Sequence, residues 1–167
     1  DQAIAANYLL NNQLAKKILI IDLDVHQGNG TAQIFENNKQ VFTFSMHGGN
    51  NYPLQKEKSD LDIALPDGIN DTEYLNLLTQ NLDKIWKLHQ PDFVFYQSGV
   101  DVIKSDKLGR LGLTLNGCKL RDTIVLETCF NTKTPVVCCM GGGYSPNIAE
   151  IIEAHANTYR VANFLYF

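Results

Sequence analysis

Short runs of consecutive apolar residues alternate along the chain with longer segments in which apolar side chains recur every three or four residues. The apolar runs predict strands at residues 18–21, 41–46, 61–65, 93–96 and 135–140. The helical spacing predicts helices at residues 3–16, 31–36, 70–89, 116–130 and 147–163. Because strands alternate with helices, we expect a single α/β domain over residues 1–167, a three-layer sandwich with a mainly parallel sheet.

Several local expectations follow from this pattern. The buried side of the first helix should carry four apolar residues: Ile4, Tyr8, Leu9 and Leu14. Residues 135–140 should form a buried strand, and Ser145 should cap the last helix with Pro146 in its first turn. The polar, glycine-rich segment 48–60 should be a long loop, and loops of that length are often functional.

Composition and charge narrow the classes of function. The net charge is −4 and no Lys/Arg cluster is present, which argues against nucleic acid as the main partner. No apolar run approaches the roughly 20 residues of a membrane span. The four cysteines form no Cys-x-x-Cys pair, so we expect small buried side chains in a reducing cytoplasm, or in a nucleus if the source is eukaryotic. The chain shows no secretory signal, although it starts at Asp1 without Met.

The chemistry begins directly after the apolar run at 18–21. Asp22, Asp24 and His26 occupy alternate positions and would share one face of an extended segment. Two carboxylates and an imidazole on one face favour a bound cation, because they would otherwise repel and desolvate one another. Taken singly, an Asp here could cap a helix and the His could be an ordinary polar residue. The whole Asp-x-Asp-x-His-x-Gly-x-Gly run favours a metal site.

Further polar residues follow other predicted strands, and the carboxyl ends of parallel strands meet at one edge of a sheet. Asp24, His26 and Asp101 would give a hydrolytic zinc centre its two carboxylates and one imidazole, with open positions left. Asp22 would lie deeper, behind these ligands. The Gly141-Gly-Gly run aims Tyr144 at the site, where its hydroxyl could stabilise an oxyanion. The alternative for Tyr144 is a surface residue packed on a helix start.

Five motifs in order along the chain resemble the zinc-dependent histone deacetylase family, closest to its class IV and bacterial deacetylase-like members. They are Asp22-Leu-Asp-Val-His-Gln-Gly-Asn-Gly-Thr31, Ser45-Met-His47, Ser98-Gly-Val-Asp101, Leu108-Gly-Arg-Leu-Gly-Leu-Thr114 and Gly141-Gly-Gly-Tyr144. The resemblance implies the arginase/deacetylase fold. It also implies hydrolysis of an N-acyl lysine or a related acylated amine, such as an acylated polyamine.

The same resemblance assigns roles residue by residue. The zinc ligands are Asp24, His26 and Asp101, and Tyr144 stabilises the oxyanion. A structural potassium ion is bound by five residues: Asp22, Asp24, His26, Ser45 and Met46. Behind the ligands lie Asp22, Asn29 and His47. The acyl-lysine site is assigned to Tyr52, Leu108, Gly142 and Gly143.

One part of the family pattern has no counterpart here. The family activates water with an adjacent His-His pair, which Asp22 and Asn29 would orient, but no two of the four histidines are adjacent. His89 should be solvated at a helix end, and His155 should be a packing or surface residue. We therefore expect the carboxyl-terminal portion of a deacetylase, nearly inactive alone, with exposed sheet edges that invite association with another chain.

Two other functions remain as alternatives. The first is a non-catalytic fragment or module that binds acyl-lysine without turnover. The second is a ureohydrolase-like enzyme with two metal ions, which the sequence disfavours because Gly28, not an aspartate, stands two residues after His26.

Overall fold

A five-stranded, entirely parallel sheet forms the centre of the computed structural model, which describes residues 1–167. The strands are β1 (Ile18–Asp22), β2 (Val41–Gly48), β3 (Leu61–Leu65), β4 (Phe93–Gln97) and β5 (Val136–Cys139). The helices are α1 (Gln2–Asn11), α2 (Asn29–Phe35), α3 (Asp71–His89), α4 (Leu115–Thr132) and α5 (Ile148–Tyr166). The strand order β3-β2-β1-β4-β5 places β1 in the middle of the sheet.

Strand β1 is buried on both faces, as its unbroken aliphatic sequence predicts. Leu19 and Ile21 belong to a core of 23 buried residues shared with α3, α4 and α5. Ile18 and Ile20 face the opposite way, into a smaller cluster with α1 and α2. The sheet therefore has helices on both faces, which is the expected three-layer arrangement.

The register brings the carboxyl ends of the three central strands together. Asp22 at the end of β1 lies opposite Ser45 of β2 on one side and Gln97 of β4 on the other. Residues that follow these strands therefore emerge at one edge of the sheet, where ligands bind in open parallel sheets.

Local caps set where the helices begin. The Asn70 side chain accepts a hydrogen bond from Glu73 N (3.0 Å) at the start of α3, and Thr114 Oγ1 accepts from Gly117 N (2.9 Å) at α4. The predicted cap of α5 is wrong by two residues. Asn147 caps that helix through Ala149 N, whereas Ser145 Oγ accepts a hydrogen bond from Asn147 N.

The first helix differs from its prediction. It ends at Asn11, and Ile4 and Tyr8 are 75% and 62% exposed rather than buried. Ala3 and Ala6 face the sheet in their place, because small side chains let the helix approach the β1 side closely. Leu9 is partly buried against this cluster, and Leu14, beyond the helix, is exposed.

Two further expectations are wrong. Strand β5 is only partly buried, and Val137 is 43% exposed, because β5 lies at the edge of the sheet with β4 as its one partner. His89 is buried, with its Nε2 3.1 Å from the carbonyl oxygen of Ile18, because the end of α3 lies over the start of β1. Burial lowers the pKa of this imidazole. None of the helices combines the length and the apolar character needed to cross a membrane.

Candidate metal centre

The segment after β1 keeps the alternation of the strand although it leaves the sheet. Leu23 and Val25 are buried in the core, and Asp24 and His26 are half-buried on the other side. Each acid fixes the backbone two residues further on. Asp22 Oδ1 accepts a hydrogen bond from Asp24 N (3.1 Å), and Asp24 Oδ1 accepts one from His26 N (2.9 Å).

The structure brings Asp24, His26 and Asp101 together. His26 Nδ1 lies 3.0 Å from Asp24 Oδ1 and 3.2 Å from Asp101 Oδ2. The ligand atoms of the three residues are all within 4.8 Å of one another. Two segments separated by 75 residues or more therefore present one nitrogen and two oxygens to a common point.

Asp101 is the buried member of this cluster. Its Oδ1 accepts a hydrogen bond from Val25 N (3.0 Å), whereas Oδ2 is buried and accepts no hydrogen bond, since His26 Nδ1 lies 3.2 Å away without forming one. A buried carboxylate oxygen without a partner is costly, and a cation at this point would satisfy it.

Glycine is needed at several positions around the cluster because the backbone passes close to the ligand carboxylates there. Gly142 N donates a hydrogen bond to Asp24 Oδ2 (3.0 Å), and a Cβ at Gly142 would lie 1.9 Å from Asp101 Oδ2. A Cβ at Gly99 would lie 2.3 Å from Asp24 Oδ2. Gly143 adopts a φ of +150°, which side chains disfavour. The sequence indicated a tight turn here but not that the glycines touch the acids.

The charges of the cluster are unbalanced. Burial, followed by the nearby Asp24 carboxylate, raises the pKa of Asp22 well above its ordinary value. The same two causes, in the same order, raise the pKa of Asp101 to about 7. No Lys or Arg forms an ion pair with Asp22, Asp24 or Asp101, and His26 is the one basic side chain that pairs with Asp24 and Asp101. The site therefore has the electrostatics of a cation site.

A cavity of about 540 Å³ opens beside the cluster on the Asp22 side. Asp24 and His26 line it, together with Asn29 at the start of α2 and Gln97 at the end of β4. Gln2 of α1 donates a hydrogen bond to Gln97 Oε1 (2.8 Å) at its wall. Asn29 therefore lines the same cavity as two of the expected ligands, and its role in orienting a histidine stays a prediction.

Tyr144 is fixed through its backbone and not through its ring. Tyr144 N donates a hydrogen bond to Asp106 Oδ2 (2.6 Å), and Asp106 Oδ1 also accepts from Leu108 N and Gly109 N, both at 2.8 Å. The side chain is 48% exposed, and its hydroxyl makes no hydrogen bond. The role of Tyr144 in stabilising an oxyanion stays a prediction.

The two residues expected at the mouth of a substrate site lie on loops that are joined by Asn51. Asn51 Nδ2 donates to the carbonyl of Leu108 (2.7 Å), and Arg110 N donates to Asn51 Oδ1 (3.2 Å). Tyr52 and Leu108 are 70% and 55% exposed. Their assignment to acyl-lysine binding, like that of the neighbouring glycines, stays a prediction.

The residues expected around a potassium ion lie on β2 beside Asp22. Ser45 Oγ accepts a hydrogen bond from Gly28 N (3.2 Å) and lies 2.9 Å from His47 Nδ1. Burial lowers the pKa of His47, and Met46 is fully buried. A Cβ at Gly28 would lie 2.5 Å from Asp22 Oδ2, so this loop also packs against an acid.

Comparison with known proteins decides the family. The histone deacetylase domain matches residues 1–159 of the chain. The chain belongs to the histone deacetylase family. The predicted relationship is therefore confirmed.

Two curated relatives show how much of a longer protein this chain matches. An uncharacterized protein of Picosynechococcus sp. is 46% identical over 166 residues, which cover 99% of this chain and 55% of that protein. Histone deacetylase 2 of Arabidopsis thaliana is 30% identical, over 91% of this chain and 40% of its own length. The chain thus spans about half the length of the curated relatives that it matches.

Solved structures of histone deacetylases share the fold. A histone deacetylase homolog crystallised with SAHA superposes with a TM-score of 0.80 at 28% identity, covering 97% of this chain and 45% of that one. The HD domain of HDA15 superposes with a TM-score of 0.78 at 29% identity, covering 96% of this chain and 49% of that one. The predicted arginase/deacetylase fold is therefore confirmed.

The sequence analysis missed one pair of residues near this candidate metal centre. Arg121 and Asp122 on α4 are both fully buried and form an ion pair. They lie on the face of α4 that also carries the buried Cys118 and Val125. That spacing is the signal that could have identified them, because charged residues within an apolar helical stripe are rarely buried without a partner.

Proposed function

We propose that this protein contributes the metal-ligand half of a zinc-dependent deacetylase that hydrolyses an N-acyl lysine or a related acylated amine. The observation that carries the proposal is the convergence of Asp24, His26 and Asp101, with the buried Asp101 Oδ2 lacking a hydrogen bond, in a chain of the histone deacetylase family. An acylated polyamine has the same amide and a similar apolar stem, so it belongs to the same substrate class.

The donor set fits zinc. Zinc binds imidazole nitrogen and carboxylate oxygen, and three protein ligands leave a position open for water or substrate, as in catalytic zinc sites. Bonds of about 2.0–2.2 Å in a tetrahedron separate the ligand atoms by roughly 3.3–3.6 Å. The distances from His26 Nδ1 to the two acids, 3.0 and 3.2 Å, are a few tenths of an ångström shorter than that. When bound, zinc would polarise the substrate carbonyl and make water a better nucleophile.

The chain's own groups would position this chemistry. Val25 N and Gly142 N donate to Asp101 Oδ1 and Asp24 Oδ2, so that the other oxygen of each carboxylate lies near His26 Nδ1, where a metal would bind. Tyr144 would donate its hydroxyl proton in a hydrogen bond to the substrate oxygen as negative charge develops there. The loops that carry Tyr52 and Leu108, joined by Asn51, would border the acyl-lysine stem.

We expect the 167 residues to turn over substrate poorly by themselves. Of the four histidines, only His26 belongs to the cluster, and no hydrogen bond or ion pair joins His47, His89 or His155 to the three ligands. A missing general base typically costs about 10²–10⁴-fold in rate. This expectation also supports the second candidate, a module that binds acyl-lysine without turnover. The single cluster of three ligands favours one metal ion over the two of a ureohydrolase-like site.

A monovalent cation, potassium by resemblance, is part of the proposal. Asp22 is a half-buried acid that forms no ion pair with a basic side chain, and it lies opposite Ser45 on the neighbouring strand. A cation bound by Asp22, Ser45 and the local carbonyls would offset that charge. We expect KCl to raise the melting temperature more than LiCl does at equal ionic strength, and equal effects would count against this site.

The unpaired edge of β5 supports the expected association with another chain. Sedimentation at several concentrations would measure it, and a strictly monomeric chain at high concentration would contradict it.

The test of function is a fluorogenic acetyl-lysine assay on this chain and on the longest open reading frame that contains it. We expect the longer protein to be active, to lose activity with a zinc chelator, and to lose about 10²–10³-fold in kcat on Tyr144→Phe. The chain alone should bind the peptide with little turnover. Turnover that resists the chelator would contradict the proposed zinc dependence. Full activity of the chain alone would contradict the expectation that it lacks the general base.

A further inference from the structure

Arg121 and Asp122 form a buried ion pair beneath the candidate metal centre. Arg121 Nε and Nη2 lie 2.9 and 2.8 Å from Asp122 Oδ1. Asp122 also accepts hydrogen bonds from Tyr96 on β4 (2.5 Å) and Thr158 on α5 (2.6 Å). Three elements of the fold thus fix this carboxylate, and the carboxylate fixes the guanidinium.

The other side of the guanidinium contacts the backbone of both segments that carry the metal ligands. Arg121 Nη1 donates to the carbonyl of Leu23 (3.1 Å) and to that of Gly99 (2.5 Å), and Nη2 lies 3.4 Å from the carbonyl of Ser98. Leu23 directly precedes Asp24. Gly99 is two residues before Asp101. One side chain therefore joins the two segments just before their ligands.

These segments have few other connections. The regular pairing of β1 with β4 stops at Asp22 and Gln97. Beyond it, Leu23 N donates to the carbonyl of Gln97 (3.1 Å), and Val25 N donates to Asp101 itself. Gly142 joins the two segments as well, because its N–H donates to Asp24 Oδ2 (3.0 Å) and its carbonyl accepts from Val100 N (3.2 Å). The separation of the two ligand-bearing segments thus depends on a small number of hydrogen bonds, of which Arg121 supplies at least two.

We propose that Arg121, oriented by Asp122, is a positioning residue that sets the separation of the Asp24 and Asp101 segments and so preorganises the zinc ligands. The inference rests on the zinc centre proposed above. Metal sites require ligand distances within about 0.2 Å, so a small change in this separation should weaken binding. A planar guanidinium can reach a carboxylate and separate carbonyls at once, whereas a lysine ammonium cannot match that fork.

The test measures the zinc affinity of the chain by competition with a chromogenic chelator. The variants are Arg121→Lys and the double variant Arg121→Met with Asp122→Leu. The double variant removes both charges together, so that no charge is left buried alone. The control is Arg160→Lys, which changes an exposed arginine paired with Glu153 on α5. Circular dichroism identifies the folded fraction, and only folded protein is compared.

We expect both Arg121 variants to bind zinc about 10- to 100-fold more weakly, and the control to bind like the wild type. The visible absorption of bound Co²⁺, which depends on coordination geometry, should also change in the Arg121 variants and not in the control. Folded variants with wild-type zinc affinity and an unchanged cobalt spectrum would overturn the inference. If only one Arg121 variant folds, its zinc affinity relative to the wild type decides between these two outcomes. A wild-type chain that fails to bind zinc would instead overturn the proposed zinc centre, and with it this inference.

Discussion

The Gly142→Ala substitution should impair the metal centre although it replaces none of the ligands. The added Cβ would lie 1.9 Å from Asp101 Oδ2 and 2.6 Å from its carboxyl carbon. Asp101 cannot simply move away, because it is fully buried and its Oδ1 accepts a hydrogen bond from Val25 N. A tolerable contact of about 3.0–3.4 Å therefore requires a displacement of roughly 1 Å or more, against the 0.2 Å that metal sites tolerate.

The expected loss is large for a single methyl group. We predict that zinc affinity falls by at least about 100-fold, the upper end of what changes behind metal ligands cost. Overpacking should also lower the free energy of unfolding of the metal-free protein by about 1–3 kcal/mol. For a chain of this length that corresponds to a decrease in melting temperature of roughly 2–12 °C.

Gly30→Ala is the matched control for this prediction. Gly30 lies in α2, is exposed, and has nothing within 4 Å of an added Cβ. The same change there should leave zinc affinity unaltered and stabilise the helix by about 0.5–1 kcal/mol. Chelator competition and thermal unfolding measure both effects. A folded Gly142→Ala variant that binds zinc like Gly30→Ala would refute the proposed proximity of the glycine run to the ligand.

Three further predictions concern the acids and the buried pair. In metal-free protein, the free energy of unfolding should decrease as the pH rises from about 4 to 7. The pKa of Asp101 is about 7 in the folded state and 3.8 in the unfolded state, so in this range the folded state holds a proton that the unfolded state has released. Asp101→Asn should flatten this slope in urea unfolding at several pH values, and an unchanged slope would contradict the assignment. Arg121→Met alone should lower the free energy of unfolding by about 3–5 kcal/mol, because it leaves the Asp122 charge buried without a partner. The double variant with Asp122→Leu should lower it much less in the same urea unfolding experiment, and equal decreases would contradict this explanation. Asp106→Ala should increase proteolytic cleavage within residues 104–110, because three backbone N–H groups lose their acceptor, and unaltered cleavage would count against this role.

Much of the fold could be predicted from the sequence because the pattern at the centre of the sheet is unambiguous. The aliphatic, largely β-branched run at 18–21 is typical of a strand covered on both faces, and the alternation of Asp22, Asp24 and His26 continues from it. Since parallel strands end at the same edge, the approach of Asp101 followed from topology. The helix start at Asn70 followed from capping chemistry.

The errors arose where packing, not periodicity, decides burial. Ile4 and Tyr8 have helical spacing, but the sheet accepts only the small Ala3 and Ala6 at close range. The residues of β5 are as apolar as those of β1, and nothing in their sequence shows that this strand lies at an edge. His89 looked solvated because its acceptor, the carbonyl of Ile18, is 71 residues away in sequence.

The acids of the candidate site could be predicted from the sequence, whereas the residues that hold them in place could not. Asp24 and His26 stand in a recognisable motif, but the contact between Gly142 and Asp101 joins residues 41 positions apart. The role of Arg121 depends on backbone carbonyls, which leave no trace in side-chain patterns. Such contacts require the three-dimensional structure.

X-ray absorption spectroscopy on the zinc-loaded chain tests the central claim most directly. If Asp24, His26 and Asp101 bind one zinc ion, the spectrum should show one imidazole nitrogen and two or more oxygens at about 2.0–2.2 Å, with one zinc per chain. The His26→Ala variant should lose the imidazole scattering and most of the bound metal. Zinc bound equally well by His26→Ala, or coordinated by sulfur from the cysteines, would contradict the account.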